Sequence, residues 1–184
     1  MYWAARGGRK HVIEWVSQRG ITINRHTADC AAEGGHLDTL KWLKKEGCTF
    51  DEYTFESAAK GGHLHVIQWL HAAGCAWDRT IFYYAVESGK LEVVEWFWDK
   101  KFPFSPNDQF IHAARGGNPE VLQWLLDHGF EWDKNAALSA SSRDHLDVLK
   151  WIHEKGLEWD FDDEALREFA GDNVREWLNG LERV

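Results

Sequence analysis

Apolar residues in this chain fall in short clusters that return at a fixed interval. In one of them Leu64, Ile67 and Leu70 keep a three-residue spacing while Val66 and Trp69 form a neighbouring stripe. That spacing places apolar side chains around much of one α-helical cylinder. A helix of roughly ten residues is marginal alone in water, so a segment this apolar needs neighbours on more than one side. A more polar helical segment, Glu52 to Lys60, precedes it and is introduced by Asp51. The pattern predicts two short helices per unit.

The unit then recurs. Ala31 to Asp51 reads AAEGGHLDTLKWLKKEGCTFD and Ala58 to Asp78 reads AAKGGHLHVIQWLHAAGCAWD, a step of 27. One column holds Trp15, Trp42, Trp69, Trp96, Trp124, Trp151 and Trp177, with steps of 27, 27, 27, 28, 27 and 26. Periods of roughly 20 to 50 residues mark solenoids or propellers. Before each first helix stands a residue suited to cap it: Asn24, Asp51, Asp78, Ser105, Asp133 or Asp160. A short side-chain oxygen there accepts from the unpaired N–H groups of the first turn, and Pro106 is expected at the first helical position.

Glycine pairs end the first helix in four copies, at Gly7-Gly8, Gly34-Gly35, Gly61-Gly62 and Gly116-Gly117, because glycine takes the left-handed conformation that closes a helix. The second helix begins at Arg9, His36, His63, Lys90, Asn118 or His145 and ends near Gly20, Gly47, Gly74, Gly129 or Gly156. A second aromatic column, Phe50, Trp77, Phe104, Trp132 and Trp159, is expected to cover the seam between units. The two columns account for ten of the 12 Trp, with the column at Trp69 expected to be interior.

The string AAxxGHLxVLxWLxxxG resembles the core of the ankyrin repeat. Ala58-Ala59, Gly62-His63-Leu64, Val66-Ile67, Leu70 and Gly74 fall on that family's positions, with Trp69 where it usually places Leu. Two departures stand out. The usual repeat has about 33 residues, so the shorter step implies loss of the projecting hairpin. The T-P-L-H turn is replaced by Tyr53-Thr54-Phe55-Glu56 and Thr80-Ile81-Phe82-Tyr83. This short, Trp-rich form looks like arrays common in large DNA viruses and some protists. Leucine-rich and tetratricopeptide repeats fit less well. The resemblance implies an all-α ankyrin-like helical-hairpin solenoid with shortened loops. It would be a single domain, 1–184, with approximate repeats 1–24, 25–51, 52–78, 79–105, 106–133, 134–160 and a degenerate cap, 161–184.

A solenoid hides its terminal faces with polar replacements. Lys10 stands in the Leu37/Leu64 column, and Asp172 and Arg175 replace apolar residues in the last copy. Both ends therefore read as caps, with a piece of a longer array as the alternative.

Charge narrows the function. With 21 Lys and Arg against 30 Asp and Glu, a net charge of -9 repels phosphate backbones, so nucleic acid is not expected as a partner. The opening MYWAARGGRK lacks a signal-peptide core, and no run approaches the ~18 apolar residues of a membrane span. An intracellular, cytoplasmic location without membrane contact is expected. Cys30, Cys48 and Cys75 lack metal or redox spacing and read as reduced thiols.

His36, His63 and His145 occupy one column, and helices about 8 to 10 Å apart place such rings too far from one another to share zinc. Hydrogen bonding across the stack is expected of them instead. His26, His71, His112 and His153 read as surface residues. The acidic run Asp160 to Glu164 lacks a calcium-loop pattern. No cofactor and no metal are expected. No step departs from 27 by more than one residue, leaving no insertion to build a catalytic pocket, so the reading is of a non-enzyme.

Comparing copies separates constant columns from free ones. One face of the first helix carries Tyr53, Glu56 and Lys60 in one copy, Arg79, Tyr83, Tyr84 and Glu87 in the next, and Ile111, His112 and Arg115 after that. In ankyrin-like stacks this is the face where partners dock. The resemblance thus implies a non-catalytic protein–protein interaction module, with Tyr53, Tyr83, Tyr84, Ile111 and Arg115 as anchors. The alternative is a structural or self-associating segment of a longer ankyrin-repeat protein. A monomer is expected, a homodimer being the other state.

Overall fold

The structure, a computed structural model, describes residues 1–159 and 164–181. Among them are fourteen helices and no strand. The chain divides into two compact units, Met1–Ser88 with Glu92–Phe104, and Gly89–Leu91 with Ser105–Val184. Both are built from helical hairpins, as the two-helix pattern predicts.

In the first unit α1 (Tyr2–Arg6) turns into α2 (Lys10–Ser17), α3 (Arg25–Glu33) into α4 (Leu37–Lys45), and α5 (Glu52–Lys60) into α6 (Leu64–Ala72). The next pair is α7 (Ile81–Glu87) and α8 (Leu91–Asp99). First helices lie side by side, α1 on α3, α3 on α5 and α5 on α7, with α2, α4 and α6 each packed on its own partner. In the second unit the hairpins are α9 (Gln109–Gly116) with α10 (Pro119–Asp127), α11 (Asn135–Ser141) with α12 (Leu146–Glu154), and α13 (Glu164–Glu168) with α14 (Asp172–Leu181). There α9, α11 and α13 form one row and α10, α12 and α14 the other.

Each hairpin fills the same interior slots. Thr54, Phe55, Ala58 and Ala59 of α5 are buried, and so are Thr27, Ala28, Ala31 and Ala32 one copy earlier. Small alanines at these positions let neighbouring first helices approach closely. From the second helices come Val66, Ile67 and Leu70 of α6, matched by Val148, Leu149 and Ile152 of α12. The tryptophan column is not the interior it was expected to be. Trp42, Trp69, Trp96, Trp151 and Trp177 are half-buried, Trp15 is 55% exposed, and Trp124 alone is buried. With 3.6 residues per turn, Trp69 lies about 100° from the middle of the arc made by Val66, Ile67 and Leu70. Its ring therefore closes the flank of the seam. The pre-cap aromatics do cover seams: Phe50 meets Trp69 at 5.8 Å between ring centroids, Trp77 meets Phe102 at 4.3 Å, and Trp132 Nε1 donates to the Glu158 carbonyl at 2.7 Å.

Capping follows the column only in part. Asp51, Asp78 and Asp133 accept from the backbone N–H groups of Tyr53, Thr80 and Asn135 at 3.1, 2.8 and 2.9 Å. Asn24 instead donates to the Tyr2 hydroxyl at 3.2 Å, and Asp160 lies outside the described residues. Pro106 is not at the first helical position, since α9 begins at Gln109. The extra residue of the 28-residue step falls here and is taken up in a turn that puts Asp108 at φ 66.

The turn between helices is where copies lock. His36 Nε2 donates to the Arg6 carbonyl at 2.8 Å, His63 Nε2 to that of Glu33 at 2.9 Å, and His145 Nε2 to that of Arg115 at 2.9 Å. These carbonyls belong to the last turn of the preceding first helix and have no partner within it. A Cβ on Gly35, which has φ +76, would stand 2.6 Å from the His63 ring, and one on Gly8 would stand 2.5 Å from the ring of His36. The second glycine thus supplies both a left-handed turn and the slot for the next imidazole.

At the final hairpin the device reverses. Asp144, at φ 59, occupies the second-glycine column. It reaches forward to accept from Val174 N–H at 3.0 Å and Asn173 Nδ2 at 2.6 Å, capping α14. Those hydrogen bonds, the backbone one first, hold its carboxyl below the ordinary carboxylate range.

Three outcomes follow. Phe55→Ala is expected to lose about 3 to 5 kcal/mol in denaturant melts, with Trp69→Ala losing less because its ring is half-buried. Gly35→Ala is expected to destabilise by at least ~1 kcal/mol, with part of the loss recovered on adding His63→Ala. Because the Asp144 carboxyl titrates lower folded than unfolded, its contribution is complete above the unfolded value, ~4, and disappears as pH falls through the folded one. Amide exchange in α14 should therefore lose protection on acidification, and Asp144→Asn should remove that pH step.

Candidate functional site

The outward face of the first-helix row in the first unit forms a groove of about 450 Å³. Tyr53, Glu56, Ser57 and Lys60 reach it from α5, Arg25, His26 and Asp29 from α3, and Tyr84 from α7. These positions recur every 27 residues, so side chains from successive hairpins fall in register across the row.

Of the residues named from sequence, Tyr53, Glu56, Lys60 and Tyr84 come together here. Tyr53 is 49% exposed, and Lys60 and Arg79 are exposed too. Tyr83, Tyr84 and Glu87 are half-buried. Ile111, His112 and Arg115 lie on α9 in the second unit, also half-buried.

Sequence reasoning missed Arg25, His26 and Asp29, although they are the equivalents of Glu52, Tyr53 and Glu56 one copy earlier. It also missed Tyr2 and Trp3 of α1, 45% and 85% exposed. Extending the variable columns one step back finds the first three, and a second step back finds Tyr2 and Trp3.

The groove is highly polar at one end. Arg25 Nη1 lies 2.8 Å from Asp51 Oδ2 and its Nε lies 3.9 Å from Asp29 Oδ2, while its guanidinium sits over the Tyr53 ring at 4.7 Å. Asp29 accepts from Thr54 Oγ1 at 2.8 Å. Burial nevertheless raises the Asp29 carboxyl above its ordinary range, with the Thr54 hydrogen bond opposing it. At the other end Glu56 accepts from Thr80 Oγ1 at 3.4 Å. Burial and then Asp78 push its carboxyl up. The Tyr84 hydroxyl is raised by burial, then by Glu56, Glu87 and Asp78.

A second hollow of about 420 Å³ adjoins Gly8, Gly35, His36 and His65. Its imidazoles are committed, His36 as above and His65 Nε2 to the Gly35 carbonyl at 2.9 Å. Among the described residues no group of three or more His, Cys, Asp or Glu is placed to hold a metal. Cys30, Cys48 and Cys75 are free thiols. Cys75, directed at the Asp51 carbonyl at 3.1 Å, is pushed up to about 11 by burial. A thiol that titrates so high stays protonated and is a poor nucleophile. No described helix is long and apolar enough to cross a membrane.

Stacked helical hairpins recurring in register define a helical repeat protein. The family model for ankyrin repeats (3 copies) matches residues 28–110 and 55–135, together more than half of the chain. The chain belongs to the ankyrin repeat family. Its fold is similar to that in the crystal structure of the human ASB11 ankyrin repeat domain, with a TM-score of 0.58 at 17% identity, over 100% of this chain and 96% of that one. No curated protein matches the sequence. Ankyrin repeats are generally protein–protein interaction modules and generally non-catalytic.

Proposed function

We propose that this chain is a non-catalytic module that binds a partner protein through the outward face of its first helices. The observation that carries the reading is the groove in which Tyr53, Glu56, Lys60 and Tyr84 converge, at columns that vary from copy to copy while the packing columns stay constant. Tyrosines in partly desolvated hollows supply much of the binding energy in protein interfaces. Stacking fixes their positions in advance, so little ordering entropy is lost on docking. In the second unit Ile111, His112 and Arg115 hold the equivalent columns and are assigned the same role.

Self-association through this face is the second reading. It is favoured by Trp3, which leaves 85% of its surface in water at the end of the row.

Capture of partner from lysate of the source cells by wild type and by the Tyr53→Ala, Tyr83→Ala, Tyr84→Ala triple variant tests the first reading. Binding should fall at least about tenfold, equivalent to ~1.4 kcal/mol, with helical content retained by circular dichroism. Undiminished capture would overturn it. Sedimentation tests the second: a dimer abolished by Trp3→Asp supports self-association, and a monomer at all concentrations removes it.

A further inference from the structure

We propose that the groove's Glu56–Tyr84 end receives an arginine side chain from an extended segment of the partner, its guanidinium stacked on tyrosine and paired with the Glu56 carboxylate. This deepens the preceding reading and rests on it.

The other end of the groove shows the same chemistry made within the chain. There a guanidinium, that of Arg25, lies 4.7 Å from the centre of the Tyr53 ring and hydrogen-bonds a carboxylate, that of Asp51, at 2.8 Å. At the Glu56 end the carboxylate and the tyrosine are present, and among the described residues no cation forms an ion pair with Glu56. Beyond burial, acidic neighbours push both groups up: Asp78, Glu52 and Asp51 raise the Glu56 carboxyl, and Glu56, Glu87 and Asp78 raise the Tyr84 hydroxyl. Lys60 lines the same groove and is exposed. Glu56 is half-buried, and its hydrogen bond from the neutral Thr80 hydroxyl is a long one at 3.4 Å.

An apolar occupant would take more water from that carboxylate and give nothing back. A metal ion lacks ligands, since no described group of three is placed to hold one. A guanidinium meets both demands, because it is planar enough to stack on an aromatic face and its forked donors match a carboxylate. The hollow of about 450 Å³ is of the size that takes a side chain with its flanking backbone. The net charge of -9 draws such a segment in from a distance.

The test uses the full chain, isotope-labelled for NMR, titrated with the acetylated and amidated peptide Gly-Ser-Arg-Ser-Gly and with its lysine and glutamate counterparts. The arginine peptide should shift resonances of Tyr53, Glu56 and Tyr84. The lysine peptide should bind more weakly and the glutamate peptide should leave those resonances in place. Glu56→Gln, with an unchanged melting profile, should weaken the arginine peptide about tenfold. Equal shifts from the glutamate peptide, arginine-induced shifts confined to other acidic surfaces, or full affinity in Glu56→Gln would each overturn the proposal. Equal affinity of the lysine peptide would overturn the choice of arginine. If the triple tyrosine variant loses the native partner while the arginine peptide fails to bind wild type, the docking face stands and the cation falls. If the peptide binds as described while the triple variant keeps its partner, the docking face is what fails.

Discussion

Everything in this molecule depends on how closely one hairpin's turn approaches the next. At each regular seam an imidazole from the following copy sits against a glycine that has no room for a Cβ, and its Nε2–H satisfies a carbonyl left over at a helix end. A group that water would otherwise have to solvate becomes the tie between copies. Because the tie is made at the turn, it leaves both helix surfaces free for other uses. Where Asn118 stands in the histidine column, it bonds a different carbonyl, that of the turn glycine Gly89, at 2.7 Å.

The consequence for function is a division of labour around each hairpin. Buried alanines and threonines bring first helices together on one side, and Val66, Ile67, Leu70 and their equivalents fill the space behind. Residues pointing the other way from the first helices carry no packing duty. That freedom is what lets Tyr53, Glu56 and Lys60 be followed by Thr80, Tyr83 and Glu87 without disturbing the stack. A face that varies on a rigid frame suits recognition better than chemistry. Catalysis needs several groups held at hydrogen-bond distance in a dry cavity, whereas this groove opens on the outward face of the first helices.

Much of this was legible in the sequence, because strict repetition multiplies each weak signal by the number of copies. Helix α5 spans Glu52–Lys60 as the pattern implies, and the histidine column hydrogen-bonds across the seam as its position suggests. The misreadings share one physical origin: they lie where a residue answers to its neighbours in space more than to its column. Pro106 has the right identity for a helix start, yet one inserted residue moves that start to Gln109. Asp144 stands in a glycine column, but its carboxylate has a helix N-terminus to cap and holds the left-handed conformation for that end. Side-chain exposure was the least legible feature. Tyr83 and Tyr84 vary from copy to copy as surface positions do, yet both are half-buried.

The tryptophan column shows how the opposite side of the hairpins is closed, and why that side is poorly suited to a partner. An indole on the flank of the buried arc is too broad to bury fully and too apolar to leave in water. The chain lays lysines from neighbouring turns over it, with Lys10 Nζ 5.7 Å from the Trp42 ring, Lys44 Nζ 5.4 Å from that of Trp69 and Lys155 Nζ 5.9 Å from that of Trp151. In two of these the lysine comes from the preceding copy, so the contact both covers the ring and bridges the seam. The methylene stem shields the indole while the ammonium stays hydrated. Docking a protein there would strip those ammoniums of water and take them from their rings. The first-helix face asks for no such exchange, because its aromatic rings and carboxylates already stand half out of water.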